Sequence, residues 1–496
     1  MKLNIFQKFP GNVFAEFIIL GCLILPFHLI AQTPGMTKSG AILLPNGWKL
    51  SPAGETRILG DLPLNIAVSH SEKLLAVTNN GESDQYVQLF DLKTKILLDS
   101  VQMGKSWLGL AFSDNDNFLF VSGGNDNWIV KFAISTGRLI PADTFRLGKP
   151  WPERISVAGI AIDDQNQVLY AVTRENNSLY TVDLKSKRIS QKLPLGAEGY
   201  TCILSPNRKM LYISCWGCEK IKVYDTFRKQ MTDSFQVGSH PNDLCLTKNG
   251  RYLFVANAND NSVSVIDLQM HKVIEVLNTA LYPDAPSGST TNSVALSKDE
   301  HTLYIANADN NCLAVFDISI PGSSKSKGFI PTGWYPTCVR VAKNKILVAN
   351  GKGNTSLANP FGPDPTRKGD DVVYQKAGKK ISQKEQYIGS LFKGTLSIIQ
   401  PATEKEMAAW SARVYSNTPY SKKKEIESEG EGNNPIPAKV GDASPIKYVF
   451  YIIKENRSYD QVLGDIPEGN GDTSLVLFGE KITPNQHALA KECASG

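Results

Sequence analysis

A hairpin that returns along most of the chain sets the strongest limit on what this sequence can fold into. Its clearest copy is RYLFVANANDNSVSVIDL, Arg251–Leu268. Tyr252, Phe254 and Ala256 alternate with Leu253 and Val255, so an extended segment here is apolar on both faces and must be covered on both. Asn257–Asn261 supplies residues that tolerate left-handed backbone or bond their own main chain. Val263–Ile266 then returns as a second strand, and Asp267 opens the next turn. The same columns recur in Lys73–Leu92, Asn117–Ile134, Val168–Leu184, Met210–Thr226 and Thr302–Ile318. A further copy begins at Lys345–Gly351 and resumes at Gly394–Gln400.

Each copy follows a short apolar strand such as Asn65–Ser69, Gly109–Ser113 or Ser293–Ser297. Most are followed by a fourth strand that runs to a glycine: Gly104, Gly148, Gly196, Gly238 or Gly333. Four short strands repeating every ~40–50 residues predict propeller blades. A single blade cannot bury its own faces, so the copies must stack. One strand within residues 47–62, ending at Gly60, precedes the first complete repeat. The last copy supplies only Pro336–Ala342, Lys345–Ala349 and Gly394–Gln400. The N-terminal strand is therefore expected to complete the last blade and close a seven-bladed ring, which removes the exposed sheet edges. The expected fold is an all-β, seven-bladed β-propeller over residues 47–417.

The flanks read differently. Lys2 and Lys8 precede the apolar run Phe17–Ala31, which is too short to span a bilayer comfortably. Residues 1–31 read as an export signal cleaved near Ala31, and IILGC around Cys22 weakly resembles a lipoprotein box. The rest of the chain is then periplasmic or secreted, with no transmembrane segment. A formal charge of +5 on 496 residues, with no basic stripe, gives no nucleic-acid surface. Glu404–Val414 has helical spacing, with Met407, Trp410 and Val414 on one side, and is predicted to pack on the ring as an exit helix. Residues 418–444, charged and containing Pro and Gly, form a linker. Residues 445–496 read as a short α/β fragment: an apolar strand at Lys447–Asn456, then a helix capped by Thr483 with Pro484 in its first turn.

Several motifs could carry chemistry. The first strand of each blade lines the channel, and Asn65, Trp107, Tyr200, Asn242, Asp243, Asn292 and Thr337 are its early polar or aromatic residues. His240 beside Asp243 could form a functional pair or simply end a strand; His70, His271 and His301 fall in turns. The clusters Asn125–Asn127, Asn257–Asn261 and Asn307–Asn311 lack an EF-hand's alternating ligand order and read as turn chemistry. Cys202, Cys215, Cys218, Cys245, Cys312, Cys338 and Cys493 follow the signal, too few for a disulfide scaffold. Cys215-Trp-Gly-Cys218 lies in a hairpin without a helix N-terminus and reads as a local disulfide or two packed thiols. Two long polar excursions, Tyr282–Thr291 and Gly351–Lys393, either carry binding or are solvated insertions. Glu455-Asn456-Arg457-Ser458-Tyr459-Asp460 follows the predicted C-terminal strand, where sites in α/β sheets collect, and a carboxylate beside an amide oxygen can serve a cation.

The VAN and VSVID strings of the repeats resemble YVTN-type seven-bladed propellers, which are similar to lactonase-type propellers. The tail YVFYIIKENRSYDQVLGDIPEGNGDTSLVLFGEKITPNQHALA resembles the opening of an alkaline-phosphatase-like phosphoesterase. The order of propeller, linker and ENRSYD resembles an exported propeller–phosphoesterase fusion, here C-terminally truncated at Gly496. That resemblance implies a parent activity of phosphate-ester hydrolysis with a divalent metal held by residues matching Glu455 and Asn456. The nucleophile segment and later ligands lack counterparts here, so this chain is expected to bind no metal firmly. It acts instead as a binding or scaffold module for a small molecule, polymer or protein at the propeller mouth. The rival expectations are a binding propeller with no enzymatic parent and a lactonase-type enzyme working near His240 and Asp243.

Overall fold

The computed structural model describes residues 34–354, 361–362, 372–376, 379–383, 386–420, 435–437, 442–469 and 471–494. The export-signal and lipoprotein-box readings, and much of the Gly351–Lys393 excursion and of the linker, lie outside these residues. Seven four-stranded antiparallel sheets follow one another around the ring. Their inner strands are Pro63–Val68 (blade 1), Leu110–Phe112 (blade 2), Val157–Asp163 (blade 3), Gly199–Leu204 (blade 4), Pro241–Leu246 (blade 5), Thr291–Leu296 (blade 6) and Trp334–Ala342 (blade 7). Blade 7 is completed by Glu55–Ile58, which pairs with Thr395–Ile399 in the register Thr395↔Ile58 to Ile398↔Glu55. The predicted closure by the opposite terminus is present.

Burial follows the repeat. The second strand of blade 5, Tyr252–Asn257, is covered on both faces apart from its first residue. The outer strand of blade 4, Gln230–Gln236, keeps only Phe235 fully covered. That contrast is why the second strand of each copy is largely apolar while the fourth is more polar. Neighbouring sheets interlock through clusters such as Phe254, Val263, Leu303, Ile305 and Phe316 between blades 5 and 6. Just after the outer strand of blade 4, a Cβ on Gly238 would meet the Asn257 side chain of blade 5 at 2.7 Å and the Asp260 carboxylate closer still. The recurrent glycine is a close-approach requirement.

An aspartate ends the third strand of blades 1, 3, 4, 5 and 6, and it has a mechanism. Asp91 accepts from Thr94 N at 2.6 Å, Asp183 from Ser186 N at 2.6 Å, Asp267 from Gln269 N and Met270 N, and Asp317 from Ser319 N. Each carboxylate ties the turn into the outer strand. The Thr94 amide and hydroxyl lower the pKa of Asp91, and Ser186 and Ser319 act likewise on Asp183 and Asp317. At Asp267 burial works the other way, and the Met270 amide and Arg251 outweigh it. A carboxylate whose folded pKa is depressed contributes stability above its unfolded pKa, about 3.9, and loses it as pH falls through the folded value. The urea midpoint should therefore hold between pH 7 and 5 and drop below about pH 4. Asp267→Asn should lower the midpoint at neutral pH and narrow the gap to wild type in acid. A gap independent of pH would contradict the account.

Outside the ring, helix Glu404–Asn417 starts with a capping box between Thr403 and Glu406 and buries Met407 and Val414 against the outer side of the ring. A three-stranded meander, Gly35–Met36, Ile42–Leu43 and Lys49–Leu50, joins it through a hydrogen-bonded Ser51–Asn417 pair. Sequence reasoning missed this meander because its strands are two residues long. The tail corrects one expectation. Residues 446–455 form no strand, and Tyr448–Ile453 are at least 74% exposed. A strand exists only through a partner's backbone, and no described residue pairs with this segment. The predicted helix is present as Pro484–Ala494, with buried His487 held by Thr483 and by Asp465 at 2.7 Å.

Candidate functional site

The inner strands converge on a channel that is closed near its middle. Arg340 from blade 7 reaches across and places Nη1 2.7 Å from Asp243 Oδ2 and 3.1 Å from Ser293 Oγ. Its Nη2 donates to Asn65 Oδ1 at 3.1 Å. Ser293 Oγ donates to Asp243 at 2.5 Å, and the amides of Leu244 and Val294 complete the carboxylate's partners. Burial opposes the Arg340 charge, and Asp243 more than offsets it, so the guanidinium stays charged. Blades 1, 5, 6 and 7 thus meet in one polar knot. It separates a cavity of about 480 Å³ on one face from a cup of about 360 Å³ on the other.

The cup lies on the face where the inner strands begin. Its walls include Asn65, Tyr200, Asn242, Asp243, Asn292 and Thr337, all predicted from inner-strand position, together with His240. Leu62, Leu64 and Leu108 make it partly apolar, which the polar reading of the ring did not include. Leu62, His240, Thr290 and Tyr335, each at the entry to an inner strand, have φ of 46°, 54°, 51° and 65°. Left-handed backbone costs these side-chain-bearing residues on the order of 1 kcal/mol each. The tight entry turns it produces aim all four at the cup.

An aromatic pile forms one wall. Trp216, from the turn between the second and third strands of blade 4, stacks on Tyr200 with centroids 4.3 Å apart and planes 16° apart. The Arg174 guanidinium lies 5.0 Å from the Trp216 ring and 5.8 Å from that of Trp107, so Trp107 belongs to this arc although it does not line the cup. His240 follows at 5.7 Å. Trp216 Nε1 donates to Asn242 Oδ1 at 2.6 Å, and Asn242 Nδ2 donates to Asn292 Oδ1 at 2.9 Å. Sequence reasoning missed Arg174, Trp216 and Arg340. A charged residue in the otherwise apolar inner strand CVRVA was the available signal for Arg340. Nothing local pointed to Arg174.

The His240–Asp243 pair is not formed. His240 Nδ1 accepts from Asn259 Nδ2 at 2.9 Å and meets Ser239 Oγ at 3.0 Å, whereas Asp243 is bound by Arg340 and Ser293. The Asn259 contact puts the ring proton of a neutral imidazole on Nε2. Burial raises the pKa of Tyr200, so its phenol keeps its proton, and it likewise raises that of Cys338, whose thiol lies 3.3 Å from Asn65 Oδ1. No described residue hydrogen-bonds the hydroxyls of Tyr200 or Tyr335, and buried Arg174 Nε has no hydrogen-bond partner, with Glu198 3.9 Å away. The groups left able to bond a ligand are mostly donors.

The other predicted motifs sort out as follows. His271 contacts Asp233 at 3.1 Å and His301 lies 3.8 Å from Asp299, both on the surface, and the His70 amide is capped by Asp116. The asparagine clusters are turns that also join blades: Asn261 Oδ1 accepts from Gly288 N and Ser289 N, and Asn127 Oδ1 from Ser156 N. Cys215 and Cys218 are free thiols. Glu455 and Asn456 line a cleft of about 550 Å³ with Arg457, Tyr459 and Phe478. No group of three or more His, Cys, Asp or Glu among the described residues could hold a metal. Glu455 and Asn456 offer one carboxylate and one amide oxygen, two of the ligands a divalent cation would take there, with water or other groups supplying the rest.

The geometry defines a seven-bladed β-propeller whose channel is blocked into a blind, aromatic-walled cup. Among known families, the model of the lactonase seven-bladed β-propellers matches residues 196–367. Antigen Lp49 of Leptospira interrogans serogroup Icterohaemorrhagiae serovar copenhageni is 25% identical over 202 residues, a match spanning 36% of this chain and 42% of that relative's length. Among solved structures, the RRP9 WD40 repeats and U3-55K superpose with TM-scores of 0.53 each, at 12% and 13% identity. Both superpositions cover 70% of this chain, with 99% and 100% of the other. At that identity they establish the propeller fold alone. No helix among the described residues is long and apolar enough to cross a membrane.

Proposed function

We propose that this protein is a binding module whose cup takes a small organic ligand rich in hydrogen-bond acceptors. One observation carries the reading: the cup and its rim offer the Tyr200 and Tyr335 hydroxyls, His240 Nε2 and Arg174 as donors, set against Leu62, Leu64 and Leu108. A concave, partly apolar site with a few oriented polar groups is what small-molecule recognition uses. The lactonase alternative draws on the family match over residues 196–367. It needs a general base near His240, and Asp243, the neighbouring carboxylate, is engaged by Arg340.

Trp216 emission provides the assay. Gluconate, glucose and benzoate, as an anionic polyol, a neutral polyol and an aromatic acid, should separate, with the anions giving saturable quenching. Leu108→Arg, which fills the cup, should abolish that quenching. Binding that survives Leu108→Arg would place the ligand elsewhere, and the absence of saturable binding by any probe would sink the reading.

From the ENRSYD resemblance we also propose that residues 445–496 are a phosphoesterase-type segment, that the propeller spans 47–417 with a linker over 418–444, and that the chain is exported. The tail as described should not turn over an aryl phosphate with added divalent metal. Turnover lost on Glu455→Ala would reverse that expectation, and retention of the protein in the cytoplasm would remove the export proposal.

A further inference from the structure

Cys215 and Cys218 bracket the residue at the centre of the aromatic wall. Cys215 caps a 3₁₀ turn, Trp216–Cys218, that ends on Glu219 in left-handed backbone with φ 54° and ψ 41°. Cys215 itself is extended, but the Cα separation from Cys215 to Cys218 is set by the two 3₁₀ residues between them, and a rise of about 2.0 Å per residue puts those Cα atoms about 6 Å apart. That lies inside the range a disulfide spans, roughly 4.4–6.8 Å. Both thiols are free and pack in the same apolar cluster beside Tyr170, Leu195 and Cys202. Cys215 is fully buried, and Cys218 is partly exposed.

We propose that Cys215 and Cys218 form a thiol–disulfide pair, oxidised by a small-molecule or protein disulfide, whose closure moves Trp216. The attacking group is the thiolate of Cys218, the reachable sulfur. It displaces one thiol from the external disulfide and leaves a mixed disulfide on Cys218. Cys215 then loses its proton and attacks the Cys218 sulfur, which forms the internal bond and expels the second thiol. Two protein thiols are oxidised, and one external disulfide is reduced to two thiols.

Burial, and after it the adjacent Cys218 thiol, push the Cys215 pKa up to about 12, which suits a resolving partner better than a first nucleophile. The turn between the sulfurs is held by Trp216 N to Glu198 O at 2.8 Å, by Trp216 Nε1 to Asn242 and by the Tyr200 stack. Because the indole sits on the turn between the two sulfurs, forming the bond reorients that turn and with it the contact of the indole with Tyr200, His240 and Arg174.

The test uses the full chain, equilibrated in reduced or in oxidised glutathione, alkylated and digested with trypsin. The peptide Met210–Lys220 should carry two alkyl groups after reduction, and none, with a mass lower by two hydrogens, after oxidation. Over the same transition, tryptophan emission should shift in wild type and not in Trp216→Phe. Cys218→Ser should remove both the disulfide and the shift, and the wild-type peptide mass stands on its own should that variant fold poorly. Two alkyl groups retained in oxidised glutathione, or a disulfide formed with no Trp216-dependent shift, would overturn the proposal. Neither readout requires a ligand in the cup, so failure here is separable from failure of the binding function.

Discussion

Arg340→Met should lower the unfolding free energy by about 3 kcal/mol, read as a shift of the urea midpoint at unchanged slope. The substitution keeps most of the side-chain length and removes the charge. Asp243, 17% exposed beside Arg340, is then left with Ser293 Oγ and two backbone amides but no cation. Asn65 and Ser293 also lose a partner in the same knot. Stranding one charge costs more than removing both, because the pair's attraction had offset the desolvation of each. Asp243→Asn combined with Arg340→Met should therefore recover at least half of the loss. A single-variant loss under about 1 kcal/mol, the range of an exposed ion pair, would mean that the knot is solvated and the channel open. Losses that simply add in the double variant would show that the two residues do not interact.

The second large effect concerns closure. Arg57→Pro removes a ladder amide from the strand that seals blade 7: Arg57 pairs with Leu396, and the Leu59 amide donates to Gly394 O in the same register, so these alternate residues turn their amides to the neighbouring strand. Thr395–Ile399 is buried along its whole length, so opening this edge exposes an apolar strand with unpaired backbone. We expect destabilisation on the order of 4 kcal/mol, a size confined to changes that break core features, together with self-association detectable by light scattering. The converse experiment is a Thr56→Cys/Ser397→Cys pair, which should oxidise to a disulfide because the two residues face each other across the sheet. A proline variant as stable as wild type, or cysteines that do not pair, would place the N-terminal strand elsewhere.

The repeat units were legible because each is built from short-range rules. Alternation within Tyr252–Asn257, an asparagine turn and a closing aspartate at Asp267 are all readable within twenty residues, and each has the predicted role. The inner-strand residues Asn65, Tyr200, Asn242, Asp243, Asn292 and Thr337 reach the cup for the same reason: their position in the repeat fixes their direction. The tail shows the limit of such reading. Tyr448–Ile453 has the composition of a strand, yet composition supplies no partner, and the segment stays unpaired. Trp107 shows a subtler limit, since its place in the repeat brings it near the cup but only Arg174 ties it to the wall.

By itself, then, the chain's sequence determined the number of blades, the turns between their strands and the use of residues near Glu55–Ile58 to finish the last one. Those features depend on neighbours in the chain or on a count of repeats. What only the tertiary structure decided is the chemistry of the channel. Arg340 meets Asn65 across 275 positions and Asp243 across 97, and the Trp107–Arg174–Trp216–Tyr200 pile joins three blades. Contacts of that kind exist only once the ring has closed, because the distance between blades around the axis is set by how many sheets pack together. No local pattern encodes it.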